Sequence, residues 1–184
     1  MRARTPGCGQ VVLITGSRCG QTLSIALETA RKLAARSPTV LADLGVAQDW
    51  FGDILDREHT SEVEITGLAD LLAGKAGFGE IIRRDLSSSV DVIASGGNPS
   101  GGEALEDVFD ALASAYDCIV IHASDWRTEA ARTAGKSADA IVVAAPKARL
   151  DRAVDAAKEA FSGVVSEFIP FAAKESQSTF EKAA

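Results

Sequence analysis

The chain has 184 residues, of which 46% are hydrophobic and 24% are charged, and its formal net charge is −7. This size and balance predict one soluble globular domain whose core needs no disulfide support. The acidic charge argues against a non-specific nucleic-acid binder, which needs a basic face, and no apolar run approaches the roughly 18–20 residues of a membrane-spanning helix.

The three cysteines and two histidines follow no metal-binding spacing. Cys8, Cys19 and Cys118 form no Cys-x-x-Cys pair, and neither His59 nor His122 lies at ligand spacing from them. An odd, scattered cysteine count in a domain of this size is typical of reduced thiols in the cytosol. We therefore expect a cytoplasmic protein without a bound metal ion.

The chain begins with a strand, a helix and a second strand. Gln10–Thr15 is a short β-branched apolar run ended by Gly16, which is typical of a buried parallel strand. Gly20–Arg36 has apolar residues at helical spacing, which predicts an amphipathic helix. Thr39–Asp43 is predicted to be the next strand, and Val46–Arg57 to be a short helix.

The middle of the chain is predicted to contain short elements. A small helix begins at Thr66, and Gly74 has the residue type that commonly stops a helix at its C-terminus. Phe78–Arg84 is predicted to be another short helix, and Val90–Ser95 to be a strand.

A glycine-rich loop, GGNPSGG, separates this strand from a longer helix. Ser100 and Glu103 have the Ser-x-x-Glu spacing of a capping box, so we expect the helix to begin there and to run to about Ala115. Its apolar positions, which are predicted to face the core, are Leu105, Val108, Phe109 and Leu112.

The last third of the chain alternates strands with helices. The apolar runs Cys118–His122, Ala140–Ala145 and Val164–Ile169 predict three strands. Helices are predicted at Thr128–Thr133 and at Arg149–Phe161. The second of these segments places its apolar residues on one side, as an amphipathic helix does.

Continuously apolar strands that alternate with amphipathic helices predict an α/β fold. Such a fold is doubly wound, with a mainly parallel sheet covered by helices on both faces. We expect residues 1–173 to form this single domain and residues 174–184 to be a loose polar tail.

The segment between the first strand and the first helix has the composition of an anion-binding loop. Its residues are Gly16, Ser17, Arg18, Cys19, Gly20, Gln21 and Thr22. Backbone N–H groups at such a junction form a concave phosphate site, to which a P-loop adds a lysine and a hydroxyl for Mg²⁺. Here Gly20 and Thr22 fit the P-loop pattern, but Gln21 replaces the lysine and the loop is one residue short. The loop alone is as consistent with a tight connection as with a phosphate site.

Five further segments, in chain order, give a resemblance to a known family. They are VLADLG at 40–45, GLADLLAG at 67–74, GGNPSGGEAL at 96–105, YDCIVIHASD at 116–125 and ADAIVVAA at 138–145. With these segments, residues 10–169 resemble the cytosolic domain of bacterial tyrosine kinases (BY-kinases), which are relatives of the MinD and ParA ATPases. The resemblance implies a P-loop ATPase fold of the MinD/ParA type and a place in exopolysaccharide synthesis with polysaccharide co-polymerases.

The chain departs from the BY-kinase pattern at the residues that carry the family's chemistry. Gln21 stands at the P-loop lysine, Gly45 at the second acid of the VLLIDxD segment, and His122 at the acid that holds Mg²⁺ through water. Asp43 keeps the first acid. The C-terminal tyrosine cluster of the family is absent, since Tyr116 is the only tyrosine.

These departures predict a protein without catalytic residues. Phosphoryl transfer depends on positioned positive charge, and the loss of one such group costs about 10²–10³ in rate. We therefore expect no meaningful kinase or ATPase activity and no bound cofactor. Weak binding of ATP or phosphate to the loop, with Asp43 nearby in a vestigial site, remains open because backbone amides need no lysine. The alternative is an atypical ATP-binding enzyme that uses Arg18, Asp43 and Asp125.

Some residues allow two interpretations. His122 could bind a metal or act as a base, but without a second ligand at suitable spacing we favour a hydrogen-bonded histidine at a strand end. Asp125 is more simply a loop or helix-capping aspartate, and Cys19 a small loop residue rather than a redox-sensitive thiol. Trp50 and Trp126 are either exposed contacts for a partner or residues packed in or half-buried against the core.

The leading hypothesis is a catalytically silent regulatory or scaffold domain in exopolysaccharide synthesis or export. It would act through protein partners of that machinery, without nucleic acid, in the cytoplasm or at the cytoplasmic face of the inner membrane. A MinD/ParA-like positioning protein is the further alternative, although GLADLLAG favours the polysaccharide family.

Overall fold

A computed structural model of the chain describes residues 9–16, 21–45, 65–164 and 167–173. Within these residues, one sheet is formed by β1 (Gln10–Gly16), β2 (Thr39–Asp43), β3 (Ile82–Arg84), β4 (Asp91–Ile93), β5 (Cys118–Ala123), β6 (Ala140–Pro146) and β7 (Glu167–Ala173). The strand order across the sheet is β3-β4-β2-β5-β1-β6-β7. The β3–β4 pair is antiparallel, and all other neighbouring strands are parallel.

The helices of the described residues are α1 (Thr22–Ala34), α2 (Leu68–Leu72), α3 (Phe78–Ile81), α4 (Glu103–Ala115), α5 (Glu129–Ser137) and α6 (Leu150–Ala160), with a 3₁₀ turn at Lys147–Arg149. Among these described helices, none has both the length and the apolar character that crossing a membrane requires.

Two apolar clusters cover the two faces of the sheet. The smaller cluster packs Ala26 and Ala30 of α1 against strand residues such as Ile14. The larger cluster lies on the opposite face, where Phe109 of α4 and Phe161 after α6 are buried. Because neighbouring residues of a strand point to opposite faces, the continuously apolar strands serve both clusters. The predicted doubly wound α/β fold is confirmed.

The segment Phe78–Arg84 is helical only in its first four residues, so the prediction of one helix there was wrong in its second half. The rest forms the edge strand β3. In this strand Arg84 Nε lies 3.0 Å from Asp91 Oδ1 on β4. The next residue, Asp85, accepts hydrogen bonds of 2.9 and 2.7 Å from Arg31 of α1. Pairing along the edge of β4 and these charged contacts outweigh a short helical pattern.

Two other boundaries differ from the sequence prediction. The capping box at Ser100 and Glu103 is not formed, because Gly102 occupies the N-cap of α4 and Glu103 is already the first helical residue. Gly102 has φ +102°, a conformation that favours glycine. The last strand is Glu167–Ala173 rather than Val164–Ile169.

The remaining predicted strands and helices of the described residues are confirmed to within a few residues at each end. The helix predicted at Val46–Arg57 and the tail at 174–184 lie outside the described residues. The assignment of residues 1–173 to one domain stays a prediction.

Candidate functional site

The candidate site lies at the carboxyl-terminal edge of the sheet, near the beginning of α1. Parallel pairing places Asp43, the last residue of β2, in register with His122 of β5, and His122 in register with Ile14 of β1. Residues in register point to the same face of a sheet, which here is the face covered by α1. Ligands of open α/β sheets bind at this edge. The fold therefore brings together two polar residues that are far apart in sequence.

The imidazole of His122 links the first turn of α1 to the end of β2. Its Nδ1 lies 2.6 Å from Asp43 Oδ1, and its Nε2 lies 2.9 Å from Thr22 Oγ1. The exposed fractions of His122, Asp43 and Thr22 are 4%, 1% and 2%. We call this arrangement of three side chains the imidazole bridge. It confirms the interpretation of His122 as a hydrogen-bonded histidine at a strand end.

The chemistry of the carboxylate fixes the direction of one of these bonds. An ionised carboxylate only accepts hydrogen bonds, so Nδ1 of His122 donates to Asp43. In the neutral ring Nε2 then accepts from the Thr22 hydroxyl, and in the protonated ring Nε2–H donates to Thr22 Oγ1. In both protonation states the imidazole engages both side chains, so the bridge does not depend on which state is present.

Asp43 is held through one of its two carboxylate oxygens. Besides the bond from His122, Oδ1 accepts a hydrogen bond of 2.7 Å from the Gly45 amide. Oδ2 is buried and has no hydrogen-bond partner within the described part of the chain. A buried polar atom without a partner costs about 1–3 kcal/mol, and more when it carries charge. Asp43 Oδ2 is therefore the atom of the bridge at which an added water molecule or cation would gain most.

Gly45, which stands where BY-kinases have their second acid, lies directly against the bridge. A Cβ atom at this position would lie 3.0 Å from Asp43 Oδ1 and 3.5 Å from His122 Cε1. The first distance is shorter than an ordinary van der Waals contact, so a side chain at position 45 would press on the Asp43–His122 bond. The absence of a side chain at Gly45 thus leaves room for the hydrogen bond between Asp43 and His122.

Three of the seven predicted loop residues are described. Gly16 ends β1, Gln21 is the N-cap of α1 without a side-chain capping bond, and Thr22 is the first helical residue. The other four, Ser17, Arg18, Cys19 and Gly20, lie outside the described residues, as does Trp50. Phosphate binding by the loop therefore stays a prediction.

Asp125 makes its contacts in the loop after β5 rather than at the bridge. Its Oδ1 accepts from the backbone N–H of Arg127 at 2.9 Å, and Oδ2 lies 2.5 Å from Arg127 Nη2. The side-chain hydrogen bond from Arg127 lowers the pKa of Asp125. The N-cap of α5 is Thr128, whose hydroxyl accepts from the Ala131 amide. Asp125 is thus a loop aspartate, and Trp126 is buried in the core, as the packing interpretation predicts.

Comparisons with known proteins give matches among solved structures. No protein-family profile and no curated protein sequence matches the chain. The kinase domain of the Escherichia coli tyrosine kinase ETK is 13% identical with a TM-score of 0.67, over 96% of this chain and 72% of that one. The VpsO kinase domain is 15% identical with a TM-score of 0.69, over 91% and 86% of the two chains.

A plasmid partition protein of solved structure gives a similar result. A putative plasmid partition protein from Borrelia burgdorferi, bound to AMPPNP, is 14% identical with a TM-score of 0.70, over 88% of this chain and 74% of that one. The chain has the P-loop ATPase fold. Similarity at these identities establishes the fold and leaves the chemistry of the site to be argued from its own residues.

The P-loop ATPase fold implies a magnesium ion beside the loop hydroxyl, and the described residues do not fit one. Thr22 would supply the hydroxyl and Asp43 a carboxylate, but both are hydrogen-bonded to the same ring. Magnesium prefers oxygen ligands in octahedral geometry, which His122 does not provide. Within the part of the chain that the structure describes, no group of three or more His, Cys, Asp or Glu residues could hold a metal ion.

The contact among Thr22, Asp43 and His122 was missed by the sequence analysis, which treated these residues separately. The available signal was positional: His122 and Asp43 each stand at the end of a predicted buried strand. If those strands are neighbours, their ends meet at the start of the first helix. The neighbour relation of β2 and β5 is a property of the sheet order, which the sequence does not state.

Proposed function

We propose that this domain is a catalytically silent relative of the BY-kinase domain that serves as a regulatory or scaffold module in exopolysaccharide synthesis or export. The observation that supports it most is the imidazole bridge. The two side chains of the described residues that match magnesium-binding positions, Thr22 and Asp43, are both bonded to His122. Within the described residues, a site arranged in this way leaves neither of these side chains available for the magnesium ion that phosphoryl transfer uses.

The expected loss of rate is large. Gln21 carries no charge and replaces the lysine that a P-loop directs at the β- and γ-phosphates. Positioned charges of this kind are each worth about 10²–10³ in rate. If the lysine and the metal ion act independently, their joint loss lowers turnover by about 10⁴–10⁶. A useful role for the domain must then come from its surface rather than from its chemistry.

The polysaccharide assignment depends on the GLADLLAG segment, residues 67–74. In the structure this segment attaches α2 to the end of β4: the amides of Leu68 and Ala69 donate to the carbonyls of Ala94 and Ser95, both at 2.9 Å. A Cβ atom on Gly67 would lie 2.3 Å from Ala94 O. The segment therefore has a packing role that explains the glycine at position 67. Its likeness to the BY-kinase segment favours exopolysaccharide machinery over a ParA-like positioning role.

We propose that the partners are proteins of the synthesis or export machinery and that they hold the domain at the cytoplasmic face of the inner membrane. Deletion of the gene in the source organism should then reduce or alter exopolysaccharide, and a plasmid copy should restore it. Unchanged polymer yield and chain length in the deletion strain would contradict this part of the proposal.

Catalytic silence is tested separately with radiolabelled ATP. The purified chain should show neither Mg²⁺-dependent turnover nor autophosphorylation under conditions in which the ETK kinase domain serves as the active control. Turnover that disappears in Asp43→Ala would contradict the proposal, because it would show that Asp43 takes part in phosphoryl transfer.

A further inference from the structure

We infer that the imidazole of His122 takes the place of the magnesium ion in this fold, so that the site is closed to divalent cations. The inference goes beyond the proposed function, because a scaffold role requires no particular arrangement at this edge of the sheet. His122 and the nearby Gly45 are then parts of one replacement of the magnesium ion by protein groups, rather than two separate losses of metal ligands.

A bound magnesium ion would need the Thr22 hydroxyl directly as a ligand at about 2.0–2.1 Å and its remaining positions filled by oxygen atoms. In the structure Thr22 Oγ1 and Asp43 Oδ1 each bond a different nitrogen of the same imidazole, at 2.9 and 2.6 Å. The ring therefore connects the two oxygen atoms. A cation that used both oxygen atoms would have to displace a ring that is 4% exposed.

The Gly45 amide donates to Asp43 Oδ1 at 2.7 Å, and a Cβ atom on the glycine would lie 3.0 Å from the same oxygen. An acid at this position would place both bulk and negative charge against the Asp43–His122 bond. The change to glycine therefore removes a metal ligand and at the same time makes room for the bridge.

The N–H groups of His122 and Gly45 both donate to Asp43 Oδ1, which is the role that a cation would otherwise fill for this carboxylate. Asp43 Oδ2, which has no hydrogen-bond partner among the described residues, is the atom at which a cation would still gain a contact. A direct test must therefore be able to report a cation beside Asp43 and His122 if one binds there.

The first experiment tests for binding of Mn²⁺, a paramagnetic substitute for Mg²⁺, by NMR of the full chain with labelled histidine. The sequence has two histidines, so the Cε1–Hε1 spectrum contains two signals, and His122→Gln assigns them. We expect millimolar Mn²⁺ to leave the His122 signal as sharp as the His59 signal. Selective broadening of the His122 signal would overturn the inference, because it would place the cation beside the bridge.

The second experiment restores an acid. In His122→Asp the melting temperature should increase with Mg²⁺, by about 3–6 °C when Mg²⁺ is at ten times its dissociation constant. The wild-type chain and the matched variant His122→Asn should show no such increase at equal ionic strength. The inference is overturned if the wild-type chain shows the same increase, or if a folded His122→Asp chain shows none.

Together, the two experiments decide the inference even if one of the variants does not fold. If His122→Asp does not fold, the Mn²⁺ measurement on the wild-type chain decides. Neither experiment uses ATP, so failure of this inference is distinguishable from failure of catalytic silence, which is judged by turnover alone.

Discussion

Replacing His122 by phenylalanine removes both ring nitrogens while keeping a planar ring in the same buried place. Asp43, which is 1% exposed, then loses its 2.6 Å hydrogen bond and keeps the Gly45 amide as its donor. Leaving a buried charge without its partner costs about 3–5 kcal/mol. The lost bond to Thr22 adds about 0.5–1.5 kcal/mol. We expect the free energy of unfolding to fall by about 3.5–6.5 kcal/mol in total.

Urea denaturation followed by tryptophan fluorescence measures this change, since Trp126 is buried in the folded state. Thr22→Val is the matched control for the weaker half of the bridge and should cost only about 0.5–1.5 kcal/mol. Asp43→Leu should recover part of the loss when combined with His122→Phe, because no buried charge is then left without a partner. The reasoning is refuted if His122→Phe costs less than about 1 kcal/mol, the value of an exposed pair, or if the two substitutions are additive.

Three further predictions concern other parts of the fold. Burial, the largest single effect, raises the pKa of Asp85, but the hydrogen bonds from Arg31 and Ser88 together with the Arg31 charge outweigh it and lower the pKa overall. Stability from this pair is therefore full above the ordinary carboxyl pKa and is lost as the pH falls through the lowered value. In urea denaturation, Arg31→Met should cost about 1.5–3 kcal/mol at neutral pH and less below about pH 4. Gly67→Ala should lower stability by about 1–3 kcal/mol in the same assay because its Cβ would meet backbone atoms, whereas Gly77→Ala, with no close contact, should change it little. Burial and a hydrogen bond to a carboxylate raise the pKa of Tyr116 to about 12, which absorbance titration of this single tyrosine should reproduce.

Each of these three predictions has an opposing result. A constant difference between wild type and Arg31→Met down to strongly acid pH would show that Asp85 has no lowered pKa. Equal losses of stability in Gly67→Ala and Gly77→Ala would contradict the packing explanation for Gly67. A tyrosine that titrates near its ordinary value of about 10 would contradict the half-buried hydrogen bond from Tyr116 to Asp91.

The central strands of the sheet were predictable because they are short and mostly apolar, a pattern that fits parallel strands buried on both faces. The segment Phe78–Arg84 was not, because Phe78, Ile81 and Ile82 also fit a helix. The strand there exists only because the edge of β4 offers a partner for pairing, which is a property of the tertiary structure. The capping box at Ser100 failed for a similar reason: the spacing was correct, but Gly102 ends the loop two residues later.

The candidate site was predictable in its residues and not in its contacts. Gly16, Thr22 and Asp43 follow from the order of strand, loop and helix, and His122 was found as a departure from a family pattern. The bond between Thr22 and His122 joins residues 100 positions apart, and it depends on β2, β5 and β1 being neighbours in the sheet. Sequence spacing carries no information about that neighbour relation, so the three residues of the imidazole bridge were not seen as one arrangement.

Isothermal titration of ATP into the wild-type chain, once with Mg²⁺ and once with EDTA, tests the central claim most directly. If the imidazole bridge replaces the metal ion, the two titrations should coincide and show weak binding or none. Saturable binding at micromolar affinity that requires Mg²⁺ would contradict the account, because it would show that the site still holds a metal–nucleotide complex.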